Sequence, residues 1–236
     1  MRIAATADLH FGKSSGGSLQ LLLSQIATDA DVLVIAGDIT DYGTVEEAKA
    51  FAKELSASVR IPVVAVLGNH DFESGAEADI HKILVDHGVC VLDGDTCEVQ
   101  GVGFAGVKGF AGGFGRRALG PWGESIVKQF VHEAVGEALK LESALARLRT
   151  DKKIVLLHYA PIEATVEGEP REIYPYLGCS RLEEPLGRYS VTAVVHGHAH
   201  NGALEGRTSG DVPVYNVALP LMRRLTPLQP IRMLDI

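Results

Sequence analysis

The chain is poor in cysteine: Cys90, Cys97 and Cys179 are its only thiols in 236 residues. So few thiols, odd in number, make no disulfide framework and suit a reducing compartment. Long apolar runs are also missing. No segment approaches the roughly 20 apolar residues that span a bilayer, and the opening MRIAATADLHFG turns polar too early for a signal peptide. We therefore expect a cytoplasmic protein without a membrane partner. Positive charge is in deficit, with 22 Lys and Arg against 30 Asp and Glu, for a net charge of -8. Such a chain repels a polyphosphate backbone, which disfavours nucleic acid as a partner. No internal repeat, low-complexity tract or Pro/Ser-rich linker divides the sequence. With 46% hydrophobic and 22% charged residues, residues 1–236 are expected to form a single domain with its own core.

Short apolar runs alternate with helical patterns. Ile3 to Ala7, Val32 to Ala36 and Ile61 to Leu67 read as strands, separated by helices at Ser18 to Thr28 and from Val45. This βαβαβ order implies a layered α/β fold. Thr44 and Glu47 have the spacing of a capping box, which fixes the start of the second helix. A further helix at Ala76 to His87 closes on Gly88. Strand-like segments at Val89 to Leu92, Thr96 to Gln100 and Gly103 to Val107 follow, expected to meander antiparallel. An amphipathic helix at Glu124 to Arg149 precedes strands at Ile154 to Leu157, Val191 to Val195, Val212 to Val217 and Ile231 to Leu234.

Two glycine patterns mislead by their letters. Gly101, Gly103 and Gly106 have dinucleotide-loop spacing but lie in a strand-like stretch with no helix after it. Gly12-Lys13-Ser14 resembles the end of a phosphate loop, but Ala7 stands where the first glycine is required, so a surface turn is expected.

Chemistry gathers at strand ends. Five polar clusters follow five apolar runs: Asp8-Leu9-His10, Gly37-Asp38-Ile39-Thr40-Asp41, Gly68-Asn69-His70-Asp71, His158, and Gly197-His198-Ala199-His200. Carboxyl ends of strands in open α/β sheets share a crevice, so the clusters are expected to meet. Asp8 and His10, two apart on extended chain, share a face and can reach one ion; His198 and His200 repeat the spacing. Asp38 can bridge two cations. Imidazole and amide oxygen complete shells suited to Mn, Fe, Zn or Co, whereas thiolate sites are not indicated. Gly37, Gly68 and Gly197 are expected to make the tight turns that aim these side chains.

In order and spacing the five clusters resemble the calcineurin-like metallophosphoesterases: Asp-x-His, Gly-Asp-x-x-Asp, Gly-Asn-His-Asp, a lone His and Gly-His-x-His. The resemblance runs from Asp8 to His200. It implies a four-layer αββα sandwich, two mixed sheets flanked by helices, around a dinuclear site. By position it makes Asp8, His10, Asp38 and His200 ligands of one metal, and Asp38, Asn69, His158 and His198 ligands of the other. The two ions would be divalent or mixed-valence, Mn or Fe first, with Zn, Co or Ni as alternatives. His70 takes the place of the catalytic general acid, and Asp41 that of the carboxylate orienting it. The implied reaction is hydrolysis of a phosphoester by a metal-bridging hydroxide.

Tyr42 and Asp71 stand where phosphoprotein phosphatases of this superfamily carry Arg and Glu, which disfavours a phosphoprotein substrate. The Asn-His-Asp form is more similar to bacterial phosphodiesterases, so a small phosphodiester is expected. Alternatives are a small-molecule phosphomonoesterase, a DNA nuclease, and a non-catalytic protein-binding module of the same fold. Asp71 is expected to be structural, and His81, His87 and His132 to sit on helices, with His87 favouring its helix C-terminus. His196 can be read equally as a partner to a ligand or as a strand-end residue. Lys108, Arg116, Arg117, Tyr159, Arg171 and Tyr174 lie in loops that could touch substrate, without an assigned role.

Overall fold

Three short strands set the frame. β1 (Arg2–Thr6), β2 (Val32–Ala36) and β3 (Val63–Val66) are apolar almost throughout and buried on both faces, as expected of parallel strands covered on two sides. The period of two divides their side chains between two cores. Ala4, Leu33, Ile35 and Ala65 face helices, while Ile3, Ala5, Val34 and Val64 face a second sheet. This computed structural model describes residues 1–12 and 18–236. Lys13 and Ser14 of the phosphate-loop look-alike lie outside the described residues.

The first sheet has the order β11-β1-β2-β3-β4, with β4 (Val89–Val91) parallel to β3 and β11 (Arg232–Asp235) antiparallel to β1. The second has the order β5-β6-β7-β8-β10-β9. It comprises β5 (Asp95–Val99), β6 (Val102–Val107), β7 (Lys152–Leu157), β8 (Ala193–His196), β9 (Glu205–Arg207) and β10 (Pro213–Asn216). Both sheets are mixed, and their inner faces share one apolar layer that includes Val66, Phe104, Ile154, Leu156 and Val195. A Cβ at Gly106 would lie 2.6 Å from Val66 Cγ1. Of the glycines that resemble a nucleotide loop, Gly101 thus sits in the turn before β6, and Gly103 and Gly106 lie within β6, where Gly106 lets it pack closely on the opposite sheet.

Helices form the outer layers. α1 (Ser18–Asp29), α2 (Val45–Ser58) and α3 (Glu77–Asp86) cover the first sheet through residues such as Leu23, Phe51 and Ile80. α2 starts on the expected box: Thr44 Oγ1 accepts from Glu47 N, and the Glu47 carboxylate accepts from Thr44 N. α4 (Ser125–Arg147) lays Leu141, Ala144 and Leu145 on Val155 and Leu157 of the second sheet. The sandwich is therefore four layers deep.

The expected antiparallel meander is corrected. β4 joins the first sheet in parallel, the chain crosses between sheets at 92–94, and of these three strands β5 and β6 alone pair antiparallel. β6 then runs parallel to β7. Three elements were not visible as patterns: β9, α7 (Leu219–Leu225), and the run of short turns containing α5 (Tyr174–Leu177) and α6 (Glu183–Leu186).

Candidate metal centre

The strand-end clusters meet at one edge of the sandwich, and their local backbone is unusual. Six described non-glycine residues have positive φ, and four of them are site residues: Asp8 (56°), His10 (43°), Asp38 (48°) and His198 (69°). The extended Asp8–His10 segment expected from spacing is thus replaced by left-handed turns borne by the ligand candidates themselves. Such conformations persist only where the surroundings enforce them. Backbone bonds do so here: Asp8 N donates to Gly37 O, and His10 N to Asp38 O, each at 3.0 Å. Of the three glycines expected to make turns, only Gly37 is left-handed, at +87°. Gly68 and Gly197 serve close approach instead. A Cβ on either would fall 2.2 Å from Asp38 Oδ1 or 2.3 Å from Asp8 Oδ2, respectively.

Two buried carboxylates anchor the centre. Asp8, 2% exposed, accepts the His198 backbone N–H at 3.0 Å and the His200 Nε2–H at 2.9 Å. Asp38, 1% exposed, accepts the His70 backbone N–H at 2.8 Å and lies 3.3 Å from His158 Nε2 and 3.9 Å from His10 Nε2. Among the described residues no Lys or Arg pairs with either carboxylate. Asp71 is also buried and raised in pKa by burial. It accepts from Gly68 N, Thr40 N and Thr40 Oγ1 at 2.7–2.8 Å, stapling the loops after β2 and β3 together. That fits its expected structural role.

Carbonyls fix the imidazole tautomers. His158 Nδ1–H donates to Ala36 O at 2.9 Å, so Nε2 faces Asn69 Oδ1 at 2.9 Å and the Asp38 carboxylate. His198 Nε2–H donates to Tyr176 O at 3.1 Å, which leaves Nδ1 to the cluster. Burial pulls the His158 pKa down, but the Asp38 charge outweighs it and raises it to about 9. Burial would raise Asp38, yet His158 holds it well below the usual carboxylate range. Three acceptors thus converge where a positive charge is required, a proton or a metal ion. Donor atoms of Asp8, His10 and His200, of His10, Asp38 and His70, and of Asp38, His158 and His198 each lie within 4.8 Å of one another. Mixed imidazole and carboxylate sets of this kind fit Mn, Fe, Zn or Co, so the residues present suit the implied metal pair.

The geometry changes one expected contact. His70 Nδ1–H donates to the Asp41 backbone carbonyl at 2.6 Å, while the Asp41 carboxylate lies 3.5 Å from His10 Nδ1. The main chain of Asp41, not its carboxylate, orients His70. Ala36 and Tyr176 also contribute only carbonyls, which no side-chain motif announces. His196 is buried with Nδ1 at 2.8 Å from Gly197 O and Nε2 at 2.8 Å from Thr165 Oγ1, away from the cluster. His87 Nδ1 bonds Ile83 O at its helix end.

The loop candidates divide. The Tyr159 ring lies 4.5 Å from that of His198, and Lys108 Nζ sits 5.0–5.4 Å from the rings of Phe72, Phe110 and Tyr159. Burial lowers the Lys108 pKa. Arg116, Arg117 and Arg171 are exposed, and Tyr174 packs in a small cluster with Leu177 and Phe114.

A family model for calcineurin-like phosphoesterases matches residues 1–202. The chain belongs to this family. The three groups of candidate ligands suit the dinuclear metal site of this family. The chain is 25% identical over 186 residues to "Probable glycerophosphodiester phosphodiesterase GpdQ" of Arcobacter nitrofigilis, covering 76% of this chain and 60% of that relative. Two solved structures share the calcineurin-like fold. TT1561 of Thermus thermophilus superposes with a TM-score of 0.54 at 16% identity, over 99% of this chain and 98% of that one. A "Putative 5'-Nucleotidase" from Staphylococcus aureus, in complex with alpha-ketoglutarate, gives 0.57 at 15% identity, over 91% and 48%. No described helix is long and apolar enough to cross a membrane.

Proposed function

We propose that the chain is a dinuclear metal-dependent phosphodiesterase acting on a small phosphodiester, folded as a single domain over residues 1–236 and working in the cytoplasm. The observation that carries this reading is the Asp38 carboxylate, set between His10 and His70 on one side and His158 and His198 on the other, with carbonyls fixing the tautomers of His70, His158 and His198. Asp8, His10, Asp38 and His200 would hold one ion; Asp38, Asn69, His158 and His198 would hold the other. Mn or Fe suits these donors best, with Zn, Co or Ni as substitutes. When bound, the pair supplies Lewis acidity toward the phosphoryl oxygens and a water activated for in-line attack.

The remaining work falls to the chain. With Nδ1–H committed to Asp41 O, His70 keeps Nε2 for a proton that it delivers to the leaving oxygen. The His70 ring stands edge-on to His10 at 4.5 Å, which restricts its swing. Asp71 holds the loop that carries Asn69 and His70, so ligand and acid keep their separation. The diester preference is supported by the Asn-His-Asp block and by the relative from Arcobacter nitrofigilis. Reconstitution with Mn, followed by turnover of bis-p-nitrophenyl phosphate against p-nitrophenyl phosphate, tests it. We expect faster diester turnover that chelator abolishes; a clear monoester preference refutes it.

A further inference from the structure

We propose that an apolar cleft beside the metal centre binds a hydrocarbon chain carried by the substrate, so that the preferred diesters are single-chain alkyl or acyl phosphodiesters. This deepens the phosphodiesterase reading and rests on it.

The cleft has a volume of about 470 Å³ and is walled by Leu119, Ile126, Val127, Phe130 and Tyr176, with Arg117 at its rim. It opens between the first turns of α4, the segment after the Gly115–Arg117 turn, and α5. Ile126 and Tyr176 are 69% and 63% exposed, an unfavourable arrangement for large apolar side chains unless something covers them. The cleft adjoins the centre at one residue, Tyr176. Tyr176 lines it and, through its carbonyl, accepts from His198 Nε2 at 3.1 Å. A group bound against Tyr176 therefore lies one residue away from His198, a candidate ligand of the centre.

The lining decides the class of occupant. Apart from the Tyr176 hydroxyl and the Arg117 guanidinium, no side chain in it donates or accepts a hydrogen bond. A nucleobase would lose the polar contacts that its edges make in water without replacing them. An aliphatic chain loses nothing and gains burial. Arg117 makes the rim positive, complementary to the phosphoryl end of the ligand and not to a cationic head group.

The test uses two chain-length series on the Mn-reconstituted protein, from butyl to decyl and below micellar concentrations. In n-alkyl p-nitrophenyl phosphates, kcat/KM is expected to rise about twofold per methylene, less than full burial gives because the cleft is open. In n-alkylphosphonates, whose P–C bond resists hydrolysis, Kd is expected to fall in parallel. Ile126→Glu, an exposed position, should flatten both slopes, whereas Leu139→Glu, exposed further along α4, should flatten neither. Diester turnover and phosphonate binding that ignore chain length overturn the inference while leaving the phosphodiesterase reading intact. Failure to hydrolyse any diester sinks that reading, and the phosphonate slope then decides the cleft alone. A self-association broken by Ile126→Glu, with flat slopes, would assign the cleft to a second copy of the chain and overturn the proposal.

Discussion

His158 and His196 stand at the ends of neighbouring strands, both fully buried, and they have opposite fates. His158 looks into the Asp38 carboxylate and Asn69, and its pKa is raised to about 9 although burial opposes this. His196 looks at the Thr165 hydroxyl and Gly197 carbonyl, and burial drives it down to about 4. Equal burial on equivalent strands therefore decides nothing about function. What faces the ring does: a carboxylate makes it a metal-ligand candidate, and a hydroxyl makes it a packed polar residue.

The contrast breaks first at His158. His158→Ala is expected to reduce metal content, read by elemental analysis, and activity to that of chelated protein, whereas His196→Ala keeps its metals and loses thermal stability instead. Normal metal content in His158→Ala would remove the distinction. Next, His70→Ala should keep both metals and slow turnover by roughly 10² to 10⁴ on substrates with an alkoxide leaving group. With nitrophenolate the loss should be much smaller, and equal losses would show that His70 does not supply the proton. Asp41→Asn leaves the carbonyl that orients His70 in place. Its kcat should fall at most about tenfold, and a loss matching that of His70→Ala would return the orienting role to the carboxylate.

Two stability measurements sharpen the comparison further. Thr165→Val strands His196 Nε2 without a partner and should cost about 1–3 kcal/mol in denaturant unfolding with activity retained. In metal-free protein the two histidines should also pull stability in opposite pH directions. His158, raised from 6.5 to about 9, contributes fully below pH 6.5 and loses its contribution as pH climbs toward 9. His196, lowered to about 4, keeps its contribution above pH 6.5 and loses it as pH falls toward 4. The alkaline loss should vanish once metal replaces the proton on His158, which melting curves with and without chelator would detect.

Much of the centre was legible because its side chains follow buried strands in a fixed order, and apolar runs end visibly. Less was legible wherever the partner is backbone. The Asp41 carbonyl on His70 and the Tyr176 carbonyl on His198 could come from any residue type, so no letter marks them. The sequence marks β4 as a strand but not its partner, because a three-residue apolar run carries no register. β9, with exposed Glu205 and Arg207, lacks the apolar face that would announce it. α5 and α6 are single turns without room for a helical period.

The bond between the Asp8 carboxylate and the His198 amide joins groups 190 residues apart. During synthesis at roughly 5–20 residues per second, Asp8 leaves the ribosome about 10–40 s before its partner. Until then β1 and β2 can pair, but the carboxylate waits in water without the amide that holds it, and Gly197 has not arrived to let the backbone close over it. Metal binding at Asp8 is therefore expected late, on a sandwich already assembled, not as a nucleus for it. A chain truncated at residue 190 is expected to retain no metal at Asp8, as elemental analysis of the truncated and full chains would show.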